Sequence, residues 1–327
     1  MQDIAHKPPS LFLAWLRLFR IPNVFTALAD VLMGYALVQR SFEPLLPLAC
    51  LLLASAFLYT AGMVLNDVFD VEQDTRERPH RPIPSGQISL GLARAVGFGL
   101  LASGVLLGAV AGYLPGSPAA LPWRSAVLAL AVAVSVLLYD AVLKKTFVAP
   151  AFMGLCRFFN VLLGVSVASL TAIDEQAAHA LWFTKGQLLV AGAIAMYVFG
   201  ITVFARTEAS QSQRAKLTQG FALLAFGIAM LLLVPQHVQP HPRFEFPAPW
   251  MWPLLLFLLG LSIGRHCLMA IADPDPRRVQ MAVKFAILSI ITLDAAVTLY
   301  AAGPNYAVLV FALVVPAMAL GRWVYST

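Results

Sequence analysis

Residues 45–74 read LLPLACLLLASAFLYTAGMVLNDVFDVEQD. The first twenty-one carry no charge, and the last nine carry four acids. About 20 predominantly apolar residues suffice for a helix to cross a bilayer. The stretch therefore predicts a membrane helix that ends, at one surface, in carboxylates. Similar apolar runs recur on both sides of it. The predicted spans are 24–39, 45–65, 91–113, 122–139, 148–170, 186–205, 216–234, 250–271, 278–301 and 305–323.

Composition agrees. The 327 residues are 60% hydrophobic and 12% charged, with a mean hydropathy of +0.80. An average soluble domain is about 45–50% apolar and about 25% charged. So little charge cannot cover a water-facing surface, and it also excludes disorder. The three cysteines, Cys50, Cys156 and Cys267, lie in apolar runs without a metal-binding spacing. The fold class is thus all-α, a polytopic membrane bundle of nine to ten transmembrane helices. Residues 1–327 read as one domain, with 1–20 an interfacial segment carrying Trp15, Arg17 and Arg20, and 305–323 an extra C-terminal helix.

With the N-terminus placed in the cytoplasm, 17 of the 22 lysines and arginines fall on the cytoplasmic side. Four fall opposite, and Arg157 is inside a span. That split follows the positive-inside rule, so the net charge of +6 needs no nucleic acid to explain it. The expected location is an integral membrane protein of the bacterial inner membrane. Asp30, Arg157 and Asp294 fall within spans, where a charge costs at least about 2.5–3.5 kcal/mol. Two readings stay open for them, a polar chamber or a structural pairing.

The acidic stretch is the richest in chemistry. On one continuous helix, Asn66, Asp70 and Asp74 share a face, and Asp67 joins it. Oxygen-only ligands at this spacing suit Mg²⁺, which also takes phosphate oxygens. Residues 75–86, TRERPHRPIPSG, follow at once. Their prolines predict a defined turn, and arginine forks match phosphate oxygens. Metal and diphosphate ligands are therefore adjacent, at the predicted cytoplasmic mouth of the bundle.

These residues carry a resemblance. NDVFDVEQD followed by RPHRPIPSG resembles the first signature of the UbiA superfamily of intramembrane prenyltransferases, NDxxDxxxD with its RPI-type loop. Arg20-Ile21-Pro22-Asn23, with Thr26, resembles the RxxN start of that family's first helix. Tyr139–Lys145, YDAVLKK, resembles its YTxxLKR segment, and Gly154–Asn160 its fifth helix. The resemblance covers roughly residues 15–300. It implies helices around a lipid-open chamber and Mg²⁺-dependent transfer of a prenyl group from its diphosphate to a small-molecule or lipid acceptor. It implies metal ligation by Asn66, Asp67, Asp70, Asp74 and Glu208, and diphosphate binding by Arg78, Arg81, Lys144 and Arg206. It further implies acceptor contacts from Arg20, Asn23 and Arg157, and catalytic roles for Asp67, Asp70, Tyr139 and Lys144.

One departure matters. The family carries a second acidic motif, DxxxD, after the sixth helix. Here residues 204–212 read FARTEASQS, with Glu208 as the single acid and Ser212 four residues on. The segment resembles a divergent branch found in bacterial biosynthetic operons, the ebo-type clusters. Two readings follow: Arg206 replaces part of the missing charge, or the bundle binds or moves a lipid-linked metabolite without chemistry. A CDP-alcohol phosphotransferase is disfavoured, since its acidic spacing is absent. Elsewhere, His237 and His241 read as a solvated loop, residues 273–278 as a tight turn, and Gly104, Gly108 and Gly112 as a helix-packing face.

Overall fold

The structure is a computed structural model that describes residues 11–167, 183–206, 213–242, 244 and 246–324. A short helix, α1 (Leu11–Phe19), precedes α2 (Ile21–Gln39) and α3 (Leu45–Phe69). After α4 (Val71–Glu77) come α5 (Leu90–Tyr113), α6 (Trp123–Leu138) and α7 (Ala149–Val165). The second half holds α8 (Lys185–Ala205), α9 (Arg214–Met230), α10 (Val234–His237), α11 (Met251–Ala272), α12 (Pro276–Ala302), α13 (Pro304–Ala312) and α14 (Val314–Val324). Among the described residues, nine helical segments are long and apolar enough to cross a membrane, and α7 is a shorter apolar tenth. All ten predicted spans are thus present as helices. The protein is an integral membrane protein with an all-helical fold.

Their outer faces suit lipid. Leu106, Val127, Leu130, Phe257, Leu261 and Phe311 are all exposed. The bundle runs α3–α5–α6–α7 on one side and α8–α9–α11–α12 on the other, with α2 packed between α7 and α12. Where α2 crosses α7, the helices touch backbone to backbone. A Cβ on Gly34 would run into the Val161 carbonyl, and one on Gly164 into the Val31 carbonyl. The predicted glycine face on α5 is likewise used: added methyls at Gly104 and Gly108 would strike α3 and α6.

Helix ends meet as the alternating path requires. Arg40, after α2, donates to the Pro240 carbonyl beyond α10 (2.8 Å). At the opposite surface Arg214 donates to the Ala272 carbonyl (3.0 Å). The α1 segment docks by Ala14 and Leu18 against Val64 and Val68 of α3 and Ile83 of the following loop, while Leu11 and Phe12 stay exposed.

Three predicted spans differ in detail, for local reasons. The helix expected over 148–170 ends at Val165. The one expected over 305–323 breaks at Leu313. Pro316 lacks the N–H that would reach Ala312, and its ring crowds that carbonyl. In the same way Pro235 leaves Leu231 without its normal helical donor, and Leu231–Leu233 tightens to a 3₁₀ turn. The freed Leu231 carbonyl takes the Val234 N–H and the Trp252 indole N–H, the latter at 3.0 Å.

Candidate active site

The acids of residues 66–74 do not lie on one continuous helix. α3 ends at Phe69, Asp70 adopts φ −91°, ψ 5°, and α4 starts at Val71. This corrects the single-stripe reading. Backbone bonds carry across the bend, from the Asp70 N–H to Asn66 and from the Asp74 N–H to Asp70, so the side chains stay close but engage two sets of partners.

The first set centres on two arginines. Arg81 donates through Nη1 to Asp74 Oδ2 (2.6 Å) and to Asp67 Oδ1 (3.3 Å). Arg20 donates to the same Asp67 oxygen (2.9 Å) and also touches the Met63 sulfur. Arg78 lies at 3.9 Å from Asp74. The loop positions Arg81: Ser85 and Gly86 bond back to Arg81 and Ile83, and Gly86 takes φ +75°, a conformation glycine adopts without strain. Arg20 itself has φ +46° at the corner between α1 and α2. Burial lowers its pKa, but the adjacent carboxylates, Asp67 foremost, outweigh that and raise it overall. It remains a cation.

The second set is built on a change in helix type. Beyond Leu138, α6 widens into a π turn over Tyr139–Leu143, a distortion that recurs at functional sites. There Asp140 turns inward, buried, while Ala141 and Val142 face out. Asn66 donates its amide N–H to Asp140 Oδ1 (3.0 Å) and accepts from Lys144 Nζ through its own oxygen (3.1 Å). The same ammonium pairs with Asp70 Oδ2. A cavity of about 450 Å³ opens here, lined by Asp70, Asp140, Lys144, Glu72 and Arg76 among others.

Of the predicted residues, the structure therefore gathers Asn66, Asp67, Asp70, Asp74, Arg20, Arg81 and Lys144, with Arg78 at the edge. Tyr139 is part of the π turn, next to Asp140. Asn23 hydrogen-bonds Tyr59, further down α3. Arg206 donates to the Thr146 carbonyl in the loop after the π turn. Glu208 lies outside the described residues. Sequence reasoning missed Asp140, and it placed Arg20 with the acceptor when its guanidinium also bonds Asp67. The signal for Asp140 was present: an acid four residues before Lys144, in a chain where charge is scarce.

Deeper in the bundle, Arg157 donates to Asp30 (2.9 Å) and to Thr26 (2.7 Å). Asn160 also donates to Asp30 (3.0 Å). The Arg157 guanidinium lies 5.3 Å from the Tyr59 ring centre, within cation–π range. The Asp294 carboxyl, from α12, rests against Asp30. The three charges that the bilayer should not tolerate are thus one polar node joining α2, α7 and α12.

Among the described residues no three carboxylate, imidazole or thiol side chains converge on one point. The donor chemistry still fits a hard divalent ion. Every ligand atom at the mouth is oxygen, and Asp67, Asp70 and Asp74 each already hold a cation partner. Such partners can pass to phosphate oxygens when a metal takes their place.

The sequence pattern of the UbiA prenyltransferase family matches residues 27–281. The chain belongs to that family. Among curated UbiA relatives, the digeranylgeranylglyceryl phosphate synthase of Saccharolobus solfataricus is 30% identical over 190 residues, 58% of this chain and 59% of that protein. The synthase of Metallosphaera sedula is 37% identical over 134 residues, 40% and 43% of the two chains. The chain thus spans about half the length of these relatives. Solved UbiA structures share the fold over nearly their full length. A homologue from Archaeoglobus fulgidus, determined with GPP and Mg²⁺, superposes with a TM-score of 0.60 at 13% identity. It covers 91% of this chain and 99% of its own. A structure described for digeranylgeranylglyceryl phosphate synthase gives 0.59 at 18%, covering 90% and 99%.

Proposed function

We propose that this UbiA family member is a Mg²⁺-dependent prenyltransferase that moves a prenyl group from its diphosphate to a lipid-like acceptor, with its active mouth on the cytoplasmic side of a bacterial plasma membrane. One observation carries this reading. Carboxylates and cations from the α1–α2 corner, α3, α4, the loop after α4 and the π turn converge at one end of an otherwise apolar bundle. The names of the relatives support a glycerophosphate-type lipid as acceptor. Asn66, Asp67, Asp70 and Asp74 would hold the metal, joined by Glu208. A bound Mg²⁺ would supply positive charge to the diphosphate oxygens and so favour its departure.

The protein's own groups do the rest. Arg81 and Lys144 turn from the carboxylates toward the diphosphate, with Arg78 and Arg206 at its rim. The allylic C–O bond breaks and its electron pair leaves with the diphosphate. Preorganised cations are effective at such a developing charge. The Tyr139 ring faces the electron-poor carbon. Apolar helix faces keep water from capturing it. The acceptor oxygen or ring carbon bonds to that carbon, and its proton passes to the departing diphosphate. Arg20, Asn23 and Arg157 contact the acceptor's polar group.

The test uses membranes containing the protein, incubated with labelled geranylgeranyl or farnesyl diphosphate and candidate glycerophosphate or aromatic acceptors, with and without Mg²⁺. Product that requires Mg²⁺ and disappears in Asp67→Ala supports the reading. The lone acid at Glu208 favours a second reading, binding or carriage without chemistry. Tight binding of the diphosphate with no release of pyrophosphate under any condition would establish that instead.

A further inference from the structure

We propose that Asp140 is a carboxylate ligand of the metal–diphosphate centre, supplied from the end of α6 in place of the acid missing after α8. The inference rests on the prenyltransferase reading above. Where the family's YTxxLKR segment has threonine, this chain has Asp140. The π turn carries that residue inward until it is 8% exposed. A carboxylate buried at a membrane surface is costly unless a cation or several donors offset it. Among the described residues, the side-chain donor that reaches Asp140 is the neutral amide of Asn66. Its charge is thus only partly compensated.

The neighbouring atoms show where a cation belongs. Lys144 Nζ sits where oxygens of Asn66 and Asp70 meet, and Asp140, which accepts from the nitrogen end of the same Asn66 amide, lines the same cavity. An ammonium held by converging oxygens marks a cation position. Asp140, Asp70 and Asn66 then form one oxygen set, while Asp67 and Asp74 with the arginines form another. The acidic share of the second motif has moved from the segment after α8 to the π turn. The single Glu208 follows from this relocation.

The experiment measures Mn²⁺ binding to the purified full-length protein in detergent, with inorganic pyrophosphate present, by electron paramagnetic resonance of free Mn²⁺. Asp140→Asn keeps an oxygen facing Asn66 and removes only the charge. It is expected to weaken Mn²⁺ binding at least about tenfold, with the metal-free melting temperature unchanged. Asp140→Glu restores the carboxylate and should bind more tightly than Asp140→Asn. The proposal is overturned if Asp140→Asn binds like wild type while Asp70→Asn loses the metal, or if the Asn and Glu variants bind equally. Failure of wild type itself to bind Mn²⁺ with pyrophosphate would remove the underlying prenyltransferase reading as well.

Discussion

Arg81 bridges Asp67 and Asp74 with a single nitrogen, so its side chain reports the state of both acids at once. If the acids hold the metal while Arg81 passes to the departing diphosphate, Asp67→Asn should lower kcat/KM by about 10²–10³-fold, the range for loss of one charge-stabilising contact. A prenyl-transfer assay at saturating Mg²⁺ checks this, and a change under threefold would sink the assignment. Arg157 answers to a different test. It is buried and tied to Asp30, so Arg157→Met leaves that carboxylate without its cation. Breaking a buried pair this way costs about 3–5 kcal/mol. Thermal unfolding in detergent should show the loss, and the double variant Asp30→Leu with Arg157→Met should recover much of it. The acids of residues 66–74 were legible because they are contiguous and abruptly charged after an apolar run. The Arg157–Asp30 pair was not. Its partners are 127 positions apart, and no periodicity links positions on separate helices.

Helices of this bundle were readable by length alone, because lipid demands an uninterrupted apolar run of about the bilayer's thickness. Two of their breaks follow from proline and lie three to four residues upstream of Pro316 and Pro235. The bend at Asp70 has no such marker. It contains neither proline nor glycine, and the one-helix reading failed there. Packing distance was also hidden until α2 met α7. At that crossing Gly34 and Gly164 each face a backbone carbonyl of the other helix, and there is no flexible side chain to move aside. Gly34→Leu is therefore expected to destabilise the protein by about 1–3 kcal/mol or more, as overpacking does. Gly99→Leu on α5, where an added Cβ meets nothing, should be nearly neutral. Melting curves of the two variants compare them directly, and equal shifts would contradict the close-contact account.

At the scale of the whole molecule, the path of the chain places Ser85 and Ser117 at opposite surfaces. If the acidic mouth faces the cytoplasm, a cysteine at position 117 should react with a membrane-impermeant thiol reagent in intact cells. One at position 85 should react only after permeabilisation. The reverse pattern would invert the orientation. The fold was legible because the apolar runs are long and charge between them is scarce. The second acid set was not, since Asp140 gains its meaning only when the π turn carries it to Asn66. One further consequence follows from the ion pairs that fill the mouth. Arg20, Arg81 and Lys144 are already matched to carboxylates, so an arriving anion trades partners with them and does not meet bare positive charge. Capture from solution should then depend on ionic strength less steeply than at a site with open cations, whose long-range pull salt screens within about 8–10 Å. If the proposed prenyl transfer holds, turnover measured across a salt series would show a shallow slope, and the protein would discriminate among phosphate-bearing lipids at close contact instead of gathering them from a distance.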